Sequence, residues 1–101
     1  MSRTYTTNEI TTAVRNVAPS YGVEKVVLFG SYARGDAHSR SDVDLYIIAG
    51  SADFLDVCAM GVDLKSQLRR KVHGLIEEYM IISDSMREGI EKEGVTVYAK
   101  E

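Results

Sequence analysis

The sequence holds a single cysteine, Cys58, so no internal disulfide can form. That scarcity suits a reducing cytoplasm. No stretch approaches the ~18 consecutive apolar residues that a membrane-spanning helix requires. The opening residues Met1-Ser2-Arg3-Thr4-Tyr5 lack the apolar core of a secretory leader. A basic surplus is missing too: 12 Lys and Arg stand against 15 Asp and Glu, for a net charge of −3. There is then no basic stripe for general nucleic-acid binding, and any phosphate must be met locally, through a metal. No internal repeat, linker or low-complexity run divides the chain, and 101 residues leave room for one core. The expectation is one cytoplasmic domain spanning residues 1–101, outside any membrane.

What is present, 45% hydrophobic and 27% charged residues, fits an ordinary globular domain. Thr6-Thr7-Asn8-Glu9 has the form of a capping box, after which Ile10, Val14, Val17 and Tyr21 recur at helical spacing. Pro19 and Gly22 close that helix. Val23–Phe29, bounded by glycines, predicts a buried strand. The polar stretch 30–41 predicts a turn, a short helical piece and a loop. Along 42–49, Val43, Leu45 and Ile47 share one face of a strand, and Asp42, Asp44, Tyr46 and Ile48 share the other. The apolar residues from Phe54 to Leu68 predict a helix to about Arg70, with Gly61 as a weak point and Cys58 in the core. Val72–Ile76 predicts a third strand, which Tyr79–Ile82 extends or follows with another. Ser85-Met86-Arg87-Glu88 has the form of a second capping box, opening a helix that ends at Gly94, and Val95–Tyr98 predicts a last strand. Strands alternating with helices give an α/β (α+β) layer structure around one sheet.

Two features carry chemistry. Gly30-Ser31 directly follows a buried strand; Gly30 allows a tight turn, and the Ser31 amide and hydroxyl suit a phosphate at the start of a short helix. Alone, Gly-Ser is a common turn pair. Asp42 and Asp44 stand two apart on a strand, so their carboxylates share a side with Cα atoms ~6.6–6.8 Å apart. Alone, such a pair is often a solvated strand end. Side by side against a sheet, however, two carboxylates repel, and Mg²⁺ relieves this by accepting carboxylates, waters and phosphate oxygens together. Ten residues separate Ser31 from Asp42, enough to turn and return on a neighbouring strand. The turn and the carboxylates can then meet at one sheet edge, where phosphoryl or nucleotidyl transfer needs positioning and charge neutralisation.

Gly30-Ser31-Tyr32-Ala33-Arg34-Gly35-Asp36-Ala37, followed by Ser41-Asp42-Val43-Asp44-Leu45, closely resembles the signature of the minimal nucleotidyltransferase family. That family lies within the polymerase-beta-like nucleotidyltransferase superfamily. Weaker similarity covers nearly the whole chain, including Leu68-Arg69-Arg70-Lys71-Val72 and Glu93-Gly94-Val95-Thr96-Val97-Tyr98. The resemblance implies a polymerase-beta palm-like fold, a mixed sheet flanked by helices, carrying a nucleoside triphosphate at a two-metal Mg²⁺ site. Gly30 and Ser31 would hold the triphosphate, and Asp42 and Asp44 the metals. Arg34 is either a phosphate contact or a solvent-exposed loop arginine. The implied donor is ATP, and the implied acceptor a hydroxyl group. A chain this short has no lobe to enclose a small acceptor, so the family suggests a helical HEPN-type protein, with this chain as its antitoxin. A second copy of the chain is a further candidate partner.

The pattern breaks once. The family's third carboxylate is expected on the strand after the long helix, and Lys71-Val72-His73-Gly74-Leu75 puts His73 there. His73 then acts as base or metal ligand, completing a catalytic set with Asp42 and Asp44. Alternatively Glu77 reaches the site across a bulge at Gly74, or the third carboxylate is simply gone and the chain binds without turnover. His38, Glu77-Glu78 and the Arg87–Glu93 stretch read as solvated surface.

Overall fold

The computed structural model describes residues 4–101; Met1, Ser2 and Arg3, included in the expectation of no leader, lie outside the described residues. The first helix, α1 (Thr7–Val17), starts as its sequence dictates. Thr6 Oγ1 accepts from the Glu9 amide at 3.1 Å, and Glu9 Oε1 accepts from the Thr6 amide at 2.9 Å. Each side chain thus satisfies a donor that the helix leaves unpaired. Pro19 does not end the helical path outright; it sits in a 3-10 turn, Ala18–Tyr21, which stops at Gly22 in the left-handed region.

Strand β1 (Lys25–Phe29) is two residues shorter than expected. Val23 is fully buried but precedes the strand, and Glu24 bonds irregularly to both Ile48 and Lys100. One helical turn, α2 (Ser31–Arg34), leads to β2 (Val43–Ile48), where buried and half-buried residues alternate strictly. Helix α3 (Phe54–Leu68) runs unbroken through Gly61. It opens on a capping box between Asp53 and Asp56 that used Asp where Glu is usual. Strand β3 (Val72–Ile76), helix α4 (Asp84–Glu93) and strand β4 (Val95–Ala99) complete the chain.

The four strands form one mixed sheet in the order β3-β2-β1-β4. β1 runs antiparallel to both β2 and β4, and β2 runs parallel to β3. The α/β (α+β) layering expected from the sequence is therefore correct. Helices α1 and α3 cover one face, enclosing Val26, Leu28, Val43, Leu45 and Ile47 together with Ile10, Val14, Met60 and Leu64. An extra residue in β4 opposite the Val26–Val27 step turns Val97 into that core. The other face is covered only in part, by α4, whose capping residue Gly94 lies so close to Val27 that a β-carbon there would strike it.

Four local expectations fail. Tyr79–Ile82 is not a strand: the Tyr79 and Met80 amides both bond to the Ile76 carbonyl, closing a turn where β3, an edge strand, has no outer neighbour. The second helix cap is Ser83, whose hydroxyl accepts from the Met86 amide at 3.2 Å; Ser85 lies inside the first turn of α4. Cys58 is exposed, not core, because α3 buries the stripe Val57, Met60, Leu64 and Leu68 and turns Cys58 outward with Leu55 and Val62. Glu78 is not merely solvated, since its carboxylate accepts from the Ala49 and Gly50 amides at 2.9 Å each and so caps the end of β2. Burial raises its pKa, but the hydrogen bonds from the Ala49, Gly50 and Glu78 amides together lower it.

Candidate nucleotide and metal site

At the end of β1 the chain must turn sharply beside β2, and Gly30 makes this turn with φ of 74°. A β-carbon there would collide with Asp44 Oδ2, so only glycine allows the turn to press against that carboxylate. The Gly30 carbonyl then accepts from the Ala33 and Arg34 amides, both at 3.1 Å, which starts α2 with Ser31 in its first position. The first amides of such a turn have no intrahelical acceptor and face outward. The chain returns through a loop pinned by Ser41. Its hydroxyl accepts from the His38 amide at 2.9 Å, and its own amide donates to the His38 carbonyl at 3.0 Å. Ser41 is the buried polar residue of this loop, and it fixes the entry of Asp42 into β2.

Asp42 precedes β2 by one residue and is exposed, while Asp44 is half-buried on the same side of the strand. Burial raises the Asp44 pKa, as does Asp42; His73 and Arg34 oppose that rise without cancelling it. The parallel register sets His73 directly beside Asp44, with Nδ1 3.4 Å from Oδ1 and the imidazole 61% exposed. Gly30, Asp44 and His73 are therefore brought together, with Ser31 and Asp42 flanking them. Among the described residues, no three His, Cys, Asp or Glu side chains gather closely enough to hold a metal ion by themselves. The donor set nonetheless fits a hard divalent ion, which takes one or two carboxylates and completes its shell with water and phosphate oxygens.

Arg34 sits at the same edge but is engaged. Its Nε lies 3.2 Å from Asp36 and its Nη1 3.4 Å from Glu93, and the Asp36 hydrogen bond chiefly raises its pKa. Arg34, Gly30 and Phe29 form one wall of a cleft of about 390 Å³; Met86, Gly89 and Glu93 of α4 form the other. Nothing in the sequence signalled that α4 folds back over this edge. A more apolar cavity of about 260 Å³ lies between α3 and β2–β3, and it shares no residue with the acidic edge.

No bulge brings Glu77 to the Asp44 edge. Gly74 pairs regularly with Leu45, so no bulge redirects the chain. Glu77 instead accepts from Arg87 at 2.7 Å and from the Tyr46 hydroxyl at 2.8 Å. Arg87, and then Tyr46, lower its pKa, while burial and Glu77 push Tyr46 up to about 12. His38 is exposed, its Nδ1 accepting from the Arg40 amide.

Residues 12–101 match the family described as Polymerase beta, Nucleotidyltransferase. A protein of Methanocaldococcus jannaschii named "Putative protein adenylyltransferase" is 30% identical over 91 residues, which cover 89% of this chain and 96% of that one. A second protein of that organism with the same name matches over 39 residues at 49% identity, covering 36% of this chain and 38% of its own length. Among solved structures, one described as a "putative minimal nucleotidyltransferase" superposes with a TM-score of 0.73 at 27% identity, covering 87% of this chain and 89% of that one. A tri-AMPylated Shewanella oneidensis HEPN toxin in complex with MNT antitoxin shares the fold, with a TM-score of 0.59 at 20% identity over 92% of this chain and 69% of that one.

Proposed function

The chain belongs to the polymerase beta nucleotidyltransferase family, and from that premise we propose that it transfers AMP from ATP to a hydroxyl group on a partner protein. The observation that carries this is the contact of Gly30 with Asp44, which sets a phosphate-holding turn against a carboxylate. Gly30 and Ser31 hold the triphosphate through main-chain amides and the serine hydroxyl, as a preorganised anion cradle. Asp42 and Asp44 would hold Mg²⁺, which when bound would neutralise charge on the phosphate oxygens. In the transfer the acceptor oxygen bonds to the α-phosphorus as the bond to the β-phosphate breaks. AMP stays on the acceptor, pyrophosphate leaves, and the hydroxyl proton passes to a base or to solvent.

Arg34 contacts phosphate by exchanging its Glu93 partner for an oxygen of the nucleotide. This exchange is cheap, because the pair is half exposed and well screened. The acceptor belongs to a helical HEPN-type protein, for which this chain serves as antitoxin. Support comes from the fold shared with the AMPylated HEPN complex and from the adenylyltransferase name of the full-length relative. The unit is one domain over residues 1–101 acting in the cytoplasm; no helix among the described residues is long and apolar enough to cross a membrane. A second reading rests on His73: without a third carboxylate, the chain acts as an impaired, nucleotide-binding antitoxin that masks its partner.

Intact mass of the HEPN-type partner after incubation with this chain and Mg-ATP separates the two. The first reading predicts added AMP units that vanish with Asp42→Asn or Asp44→Asn. Toxin inhibition with unchanged mass, in wild type and variants alike, would establish the second instead.

A further inference from the structure

The imidazole beside Asp44 changes which ion this edge prefers. We infer that Asp44 and His73 form a carboxylate–imidazole pair that takes a divalent transition ion of the cobalt–zinc class in preference to Mg²⁺. This rests on the proposed metal-nucleotide site, and at the position beside His73 it replaces the Mg²⁺ assigned there. The Nδ1–Oδ1 separation of 3.4 Å sets one imidazole nitrogen and one carboxylate oxygen side by side, close enough for both to reach one ion, since donors each about 2.1 Å from a metal stand about 3.0–3.4 Å apart. The parallel register holds both residues side by side on neighbouring strands.

Ligand chemistry then sets the preference. Mg²⁺ sheds water reluctantly and favours oxygen in octahedral array, whereas imidazole nitrogen suits the later transition ions. A site with an aspartate in place of His73 would present oxygen alone. The exposed imidazole leaves the remaining coordination positions to Asp42, water and nucleotide oxygens.

The test uses the untagged chain, so that His38 and His73 are its only histidines. Co²⁺ is titrated by its visible absorption and Mg²⁺ by calorimetry, each with a non-hydrolysable ATP analogue. Wild type is expected to favour Co²⁺ over Mg²⁺ by a ratio that falls about tenfold or more in both His73→Asp and His73→Ala. His73→Asp should also bind Mg²⁺ more tightly than wild type does. Equal Co²⁺-to-Mg²⁺ ratios in all three proteins would overturn the inference. If AMP transfer still depends on Asp44 in that case, the proposed function survives. If neither ion binds with the analogue in any of the three, both fail together.

Discussion

On the face of the sheet that α1 and α3 cover, Val26, Leu28, Val43 and Leu45 are fully enclosed. On the opposite face Asp44, Tyr46 and His73 stay partly open and are joined to charged or polar partners. Strand β2 contributes to both sets. In β2 the odd positions Val43, Leu45 and Ile47 go to the core, and the even positions Asp44 and Tyr46 go to the acidic edge. Strand parity therefore separates stability from chemistry within six residues. The proposed site can hold a costly half-buried carboxylate because its neighbours in sequence anchor the strand from behind.

That division makes predictions that grade from one face to the other. The largest effect belongs to the enclosed face: Leu45→Ala removes a side chain with no solvent exposure and should cost about 3 kcal/mol in denaturant unfolding. Gly30→Ala tests the seam between faces. The left-handed backbone strains any side chain by about 1 kcal/mol or more, and the new methyl group must displace the Asp44 carboxylate. A moderate fall in melting temperature together with lost nucleotide binding is expected; a fall in stability alone would detach this turn from the site.

Two smaller effects have opposite sign within the open face. Asp44 has a raised pKa, with burial the main cause. Its contribution to stability is present below the ordinary carboxylate value and is lost as pH rises through the raised, folded value. In metal-free buffer Asp44→Asn should therefore gain on wild type between acidic and neutral pH, read from urea midpoints. Glu77 has a lowered pKa, chiefly through its hydrogen bond to Arg87. Its contribution is present above the ordinary value and lost as pH falls through the folded one. Glu77→Gln should lower the melting temperature slightly near neutrality, and the difference should vanish in acid. A shared sign for the two variants would break the contrast.

Much of this division was legible in the sequence because it is local. The alternation in Val43–Ile48, the Thr6–Glu9 box and the Asp42–Asp44 spacing all act within a few residues, and the structure follows them. What escaped was set by contacts between distant segments. Arg87 reaches back to Glu77, Glu93 meets Arg34, and Glu78 caps β2; each reads in sequence as a solvated charge. Cys58 was misjudged because α3 buries only one stripe, so apolar neighbours in sequence do not imply a buried position. The adjacency of His73 and Asp44 was expected from the family resemblance alone, because it depends on the β2–β3 register, which no local pattern specifies.

Binding of a non-hydrolysable ATP analogue, with divalent metal present, tests the central claim without requiring turnover or a partner. Saturable binding by wild type should be abolished in Asp44→Asn while its melting curve remains cooperative. Equal affinity in wild type and Asp44→Asn would contradict the account, because the open face would then hold its carboxylate for some purpose other than the metal-nucleotide.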